Sequence, residues 1–237
     1  MPDQIDQIME QASEALATMD YSRCELACVQ ALTLARDGER WADYGRILLP
    51  LQESRRQRRM TAAEGAIRLG TAGLADDPQA WIDQHEAGCL LVGPIPDAQP
   101  VDQLREQAIH DGRPFEIFAW LEPDAAPTTQ SPAWTVAAGS FTCTVPPPAS
   151  QWQDQTLNAT SSAHPDPRSA EGDGPVEWFL DVLEQLGDRV IRESGEIDDP
   201  IERLALLEEG LGAVPDHELL HQRLLETARD CARDDTT

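Results

Sequence analysis

The stretch Asp20–Leu32, DYSRCELACVQAL, decides the fold of the first part of this chain. Its small and apolar residues recur every three or four positions, which is the spacing of one face of a helix. The residues from Ile5 to Leu16 repeat this spacing, and only a few residues around Met19 separate the two runs. Because so short a connection permits only a tight turn, the pattern predicts two antiparallel helices that pack as a hairpin.

Small residues mark the positions at which the two predicted helices approach each other. Ala12, Cys24 and Ala31 stand there, and the stretch resembles the turn and second helix of a tetratricopeptide repeat, a family in which small residues occupy these positions. The next predicted helix continues the likeness, with the family's spacing of aromatic, apolar, small and large residues at Trp41, Tyr44, Gly45 and Leu48. The resemblance covers residues 5–50 and implies a short helical array that binds a protein or a peptide.

Three residues depart from the repeat pattern. Cys28 replaces the usual aromatic residue, and Arg36 stands where a repeat normally ends in proline. Pro50 is expected to interrupt the third helix, because proline removes a backbone hydrogen bond and its ring crowds the preceding turn. A weaker helical stretch follows, so the predicted TPR-like array spans residues 1–78.

The hydrophobic period changes after this array. Two short apolar runs predict buried strands, and an amphipathic segment between them predicts a helix, so the three can form a parallel βαβ unit with a right-handed crossover. A small α/β module is therefore predicted over residues 87–145. Its strands comprise residues 87–93, 114–121, 134–136 and 140–145, with a helix at 101–110 and a bend at Gly139.

The remaining residues divide into a linker and a helical segment. Residues 146–174 are rich in Pro, Ser, Thr and Gln and favour a flexible linker. Residues 175–233 predict three C-terminal helices, which could pack on the N-terminal array. Proline or an Asp-Pro or Pro-Asp pair opens each of them, at Pro175, Asp199-Pro200 and Pro215-Asp216. The predicted fold class is thus mainly α with a small α/β module.

Composition excludes several classes of partner. The 43 acidic residues oppose 18 basic residues, all of them Arg, which gives a formal charge of -25. Such a field repels nucleic acid and anionic membrane surfaces. No apolar run approaches the length of a membrane span, and the first residues lack the pattern of a secretory signal, so we expect a cytoplasmic protein. Because the five cysteines are odd in number, we expect reduced, buried thiols and no disulfide framework.

An arginine cluster is the first candidate site. Arg55, Arg56, Arg58 and Arg59 crowd one and a half helical turns, and guanidinium groups bind carboxylate or phosphate through paired donors. One interpretation of the cluster is a clamp for an anion or an acidic peptide, and the other is a solvated face balanced by nearby glutamates. Together with the aromatic residues of the array, the candidate protein-binding residues are Trp41, Tyr44, Arg55, Arg56, Arg58 and Arg59.

A second candidate site is the motif His217-Glu218-Leu219-Leu220-His221. Two histidines four apart on a helix can hold Zn²⁺ while the glutamate activates water, as in metalloproteases. The motif lies in a first helical turn, where the dipole disfavours a cation, and no histidine follows His221 as a third ligand. The alternative is that Pro215-Asp216 begins the helix, His217 and Glu218 lie near solvent, and Leu220 packs inward.

The α/β module carries a third hypothesis. Open parallel sheets bind ligands at the carboxyl ends of their strands, here after residues 90–92 and 117–119. The stretch GPIPDAQP at residues 93–100 has three prolines and therefore too few backbone donors for a phosphate cradle, so no cofactor is expected. The sequence favours a non-catalytic protein-binding or scaffold protein, with a small-ligand or enzymatic α/β module and a zinc hydrolase as alternatives.

Overall fold

The computed structural model describes residues 3–70, 77–122, 133–153, 155–158 and 174–234. Two compact units make up the chain. The first, called the helical unit, comprises Met1–Arg58 and Val190–Thr237, and the second, called the sheet unit, comprises Arg59–Arg189.

In chain order the helices are α1 (Gln4–Ala17), α2 (Tyr21–Asp37), α3 (Trp41–Glu64), α4 (Pro78–Asp83), α5 (Gln99–His110), α6 (Pro175–Ser194), α7 (Pro200–Ala213) and α8 (Glu218–Asp234). The strands are β1 (Ala66–Leu69), β2 (Gly88–Ile95), β3 (Phe115–Leu121), β4 (Trp134–Ala138), β5 (Phe141–Val145) and β6 (Thr156–Asn158). The prediction of a mainly α chain with a small α/β module is confirmed.

Helices α1 and α2 form the predicted pair. The side chains of Asp3 and Asp20 accept hydrogen bonds from backbone N–H groups in the first turns of α1 and α2, which fixes where each helix begins. Ala12, Cys24 and Ala31 have no exposed surface. These small side chains allow the two helices to approach closely, as their spacing in the sequence indicates.

Helix α3 continues through Pro50, and the expected interruption there is wrong. An internal proline costs about 3 kcal/mol of helix stability. Ile47 and Leu51 on either side of it are completely buried, and burying two such side chains contributes an amount of the same order. The thiol of Cys24 also donates a hydrogen bond to the carbonyl oxygen of Pro50, at 3.8 Å. Tertiary packing therefore overrides the local effect of the proline.

The C-terminal helices begin near the expected residues. Asp199 caps α7 by accepting two hydrogen bonds from backbone N–H groups. In the helical unit α8 packs directly on α3, because a Cβ atom on Gly45 would lie 2.9 Å from Cδ1 of Leu225. Residues 190–234 thus belong to the same unit as α1 and α2.

The sheet unit contains one six-stranded sheet in the order β5-β4-β3-β2-β1-β6. Strands β1, β2 and β3 are parallel, and α5 connects β2 to β3 as predicted. Strands β4 and β5 extend the sheet as an antiparallel hairpin that turns at Gly139. The core between the sheet and helices α4 and α5 is apolar, with Leu90, Ile117 and Ala119 completely buried.

Two strands lie where the sequence indicates none. Strand β1 lies within the residues assigned to the helical array, and β6 lies within the predicted linker and pairs with β1. Both are only three or four residues long, and their backbone groups are satisfied by pairing across the sheet, which local sequence does not reveal. Residues 154 and 159–173 of the predicted linker lie outside the described residues. Within the described ranges, no helix combines the length and apolar character needed to cross a membrane.

Candidate functional site

A cleft of about 420 Å³ opens in the helical unit between α2, α3, α7 and α8. We call it the α2–α7 cleft. The residues that line it are Val29, Leu32, Thr33, Arg36 and Asp37 from α2, Tyr44, Leu51 and Arg55 from α3, Glu208, Leu211 and Gly212 from α7, and Leu224 from α8. A volume of this size falls in the range of sites that bind small molecules or a few side chains of a peptide.

Most of the cleft wall is apolar because α2 has two apolar faces. One face carries the small residues that contact α1, and the other carries Leu26 and Val29, three positions apart. Leu26 is 45% exposed and Val29 is 41% exposed. Of these two residues Val29 lines the cleft, together with Leu32 and the buried Leu51. The result is an apolar wall that solvent can reach.

One end of the cleft is polar and is built around Glu208. The hydroxyl group of Tyr44 donates a hydrogen bond to Oε1 of Glu208 at 2.7 Å, and the guanidinium of Arg36 pairs with Oε2. Burial, together with the negative charge of Glu208, raises the pKa of Tyr44 above its ordinary value. The phenol therefore stays protonated, and these three side chains tie α2, α3 and α7 together.

The arginine cluster does not form one surface. Arg55 donates to Glu25 from Nε at 2.8 Å, and Arg58 pairs with the other oxygen of the same carboxylate. Burial alone would raise the pKa of Glu25, but Arg55 and Arg58 more than offset this effect and hold that pKa below its ordinary value. The side chain of Arg55 is only 10% exposed. Two of the predicted clamp residues are therefore engaged inside the helical unit.

The other predicted binding residues have different surroundings. Arg56 is largely exposed beside Glu53, and Arg59 pairs with Glu184 at 3.1 Å. Trp41 is buried and packs edge to face against Tyr44, with ring centroids 6.1 Å apart. Of the six predicted residues, only Tyr44 and Arg55 line the cleft.

The histidine motif forms the start of α8. His217 precedes the first residue of that helix, and its Nδ1 accepts a hydrogen bond from the backbone N–H of Leu220 at 3.3 Å. Nε2–H of His221 donates to the carbonyl oxygen of Pro215 at 3.0 Å. Both histidines are buried, so the expectation that His217 lies near solvent is wrong, whereas Leu220 packs inward as expected.

The charge state of His221 follows from its surroundings. Burial, helped by the positive charge of Arg55, lowers the pKa of His221 to about 3. The imidazole is therefore neutral at physiological pH. Within the described parts of the chain, no three or more His, Cys, Asp or Glu side chains are grouped so that they could hold a metal ion.

The carboxyl edge of the parallel strands is packed with aromatic rings. Trp120 at the end of β3 stacks on Trp134 at the start of β4, with ring centroids 3.6 Å apart and planes 13° apart. Gly70 follows β1 with a positive φ of 59°, and a Cβ atom there would lie 3.1 Å from the Trp120 ring. The chain after β1 and after β3, residues 71–76 and 123–132, lies outside the described residues. The ligand site expected at this edge stays a prediction.

Sequence patterns do not reveal the residues that matter most for the cleft. Glu208 and Gly212 lie more than 160 positions along the chain from Tyr44, so no local pattern connects them. The apolar pair Leu26 and Val29 was the one available signal, since both lie off the face of α2 that packs on α1.

Comparison with known proteins adds no relative: the chain matches no family model, no curated protein and no solved structure.

Proposed function

We propose that this chain is a non-catalytic protein-binding or scaffold protein, and that a peptide segment of its partner occupies the α2–α7 cleft. The observation that carries this proposal is the solvent-accessible apolar wall formed by Val29 and Leu32, with the buried side chain of Leu51 behind them. The free energy falls when a partner covers apolar side chains that are exposed to water, so such side chains favour binding. The resemblance of residues 5–50 to a tetratricopeptide array supports the same function.

The polar groups of the cleft favour binding over catalysis. General acid or base catalysis needs a group whose pKa lies near the working pH. No histidine or cysteine lines the cleft, and the Tyr44 hydroxyl is held protonated against Glu208. Glu208 itself accepts from both Tyr44 and Arg36. These groups are arranged to fix the wall of a binding site.

A blocking substitution at Gly212 tests the proposal. A Cβ atom on Gly212 would have no neighbour within 4 Å, so the Gly212→Trp variant places a large side chain at the cleft wall without disturbing the core. Leu49 is 65% exposed and does not line the cleft, so Leu49→Trp is the matched control. The full-length protein and both variants are used for affinity capture from the source cells, with quantitative mass spectrometry.

We expect one or more proteins to be captured by the unmodified chain and by Leu49→Trp, and to be lost with Gly212→Trp. Cross-linking of such a protein to α2 should confirm that it contacts the cleft directly. Identical capture by all three chains would contradict the proposal.

A further inference from the structure

The arginines of the cleft already have partners within the helical unit. Arg36 pairs with Glu208, and Arg55 shares Glu25 with Arg58. Other guanidinium groups of this unit are engaged in the same way, in the pairs Arg40–Asp3, Arg46–Asp6, Arg56–Glu53, Arg203–Asp230 and Arg223–Glu226. These positive charges are therefore largely neutralised where they stand.

Asp37 differs from the carboxylates in these pairs. It lines the α2–α7 cleft, it is exposed, and across the described residues its carboxylate makes no hydrogen bond or ion pair. Asp37 is also the last residue of α2, where the aligned peptide dipoles of the helix add partial negative charge. An unpaired carboxylate at this position attracts a cation.

A second helix ends at the same cleft. Gly212 lines the cleft and is the penultimate residue of α7, which ends at Ala213. The partial negative charge at the end of α7 therefore adds to that at the end of α2. The chain as a whole has a charge of -25, so its long-range field also draws in basic partners and repels acidic ones.

We infer, on the basis of the proposed function, that the partner segment is a basic peptide: one of its apolar side chains enters the α2–α7 cleft, and a neighbouring Lys or Arg pairs with Asp37. Contact with the apolar wall provides most of the affinity, and the Asp37 carboxylate selects peptides that carry a positive charge. This partner is opposite in charge to the acidic peptide that the arginine cluster indicates, because Arg55 and Arg58 are engaged by Glu25.

Selection from a random peptide library tests the inference. A displayed library of peptides of about 12 residues is selected on the full-length chain, in parallel with the Gly212→Trp variant. Peptides enriched on the unmodified chain and lost on the variant are cleft-dependent. We expect these to combine a large apolar residue with an excess of Lys and Arg over Asp and Glu.

Affinity measurements on a selected peptide then test the role of Asp37. We expect Asp37→Asn to weaken binding by about fivefold, which is the effect of losing one favourable exposed ion pair. Glu14 is exposed on α1 and does not line the cleft, so Glu14→Gln should leave the affinity unchanged. Fluorescence anisotropy with labelled peptide gives both values.

The outcomes separate the two proposals. Cleft-dependent peptides without a basic excess, or equal effects of Asp37→Asn and Glu14→Gln, would overturn the inference while the proposed function stands. A library that yields no peptide lost on Gly212→Trp would overturn the proposed function, and the inference with it.

Discussion

Two glycines on α7 have opposite surroundings. A Cβ atom on Gly210 would lie 2.4 Å from Cγ1 of Val190, whereas one on Gly212 would meet nothing within 4 Å. Gly210 is therefore a point of close contact between α6 and α7, and Gly212 leaves space at the wall of the cleft. The same substitution should then change stability in opposite directions at two positions of one helix.

We expect Gly210→Ala to lower the free energy of unfolding by about 1–3 kcal/mol, because Val190 must move to accommodate the new methyl group. Gly212→Ala should raise it by up to about 1 kcal/mol, since alanine restricts the unfolded chain and favours the helix. Urea unfolding followed by circular dichroism measures both. An equal loss of unfolding free energy in the two variants would show that Gly212 is packed against neighbouring atoms.

His221 makes stability depend on pH. Its pKa is about 3 in the folded chain against an ordinary value of 6.5, so the folded state binds fewer protons than the unfolded state. The stability that the neutral ring contributes is complete above pH 6.5 and declines as the pH falls toward 3. Below pH 6.5, the contribution of His221 to the free energy of unfolding declines by about 1.4 kcal/mol per pH unit.

The matched variant for this prediction is His221→Asn, which has no titrating group. The difference in unfolding free energy between the unmodified chain and this variant should shrink by about 2 kcal/mol between pH 6.5 and about pH 5. Taking the difference cancels the carboxylates that titrate in both proteins. A difference that stays constant over this range would mean that His221 is accessible to water.

At the scale of elements, the sequence predicts what is periodic and misses what depends on pairing. The α1–α2 hairpin, the β2–α5–β3 unit and the three C-terminal helices each have a repeating pattern of apolar residues that the structure bears out. Strands β1 and β6 are too short to show a period and form because β1 pairs with β2 and β6 pairs with β1. Helix α3 passes Pro50 because buried side chains on both sides hold it.

The candidate site was less predictable than the elements that build it. The spacing of Trp41, Tyr44 and Gly45 predicts that Tyr44 is a binding residue, but its partner Glu208 comes from a distant helix. The arginine cluster was visible as a run of charge, yet burial beside Glu25 decides what those arginines do. A sequence shows which charges are present, whereas their partners are set by the tertiary fold.

For the whole molecule, the excess of acidic residues should make stability depend on salt. With a charge of -25, repulsion between carboxylates opposes the compact state. The exposed ion pairs that salt also weakens contribute only about 0–1 kcal/mol each. We therefore expect the melting temperature to rise as NaCl increases from about 0.05 to 0.5 M, where the Debye length falls well below 10 Å. Calorimetry checks this, and a falling melting temperature would mean that the ion pairs dominate.

The stacked pair Trp120 and Trp134 gives the sheet unit an optical label of its own. Indoles with centroids 3.6 Å apart couple their electronic transitions, and when the transition moments of the two rings are skewed this coupling produces a paired band in the circular dichroism spectrum that single tryptophans do not show. The helical unit contains Trp41, which faces Tyr44 at 63° and contributes no such pair. Loss of the paired band during heating would therefore report the melting of the sheet, while the helical signal reports the helices.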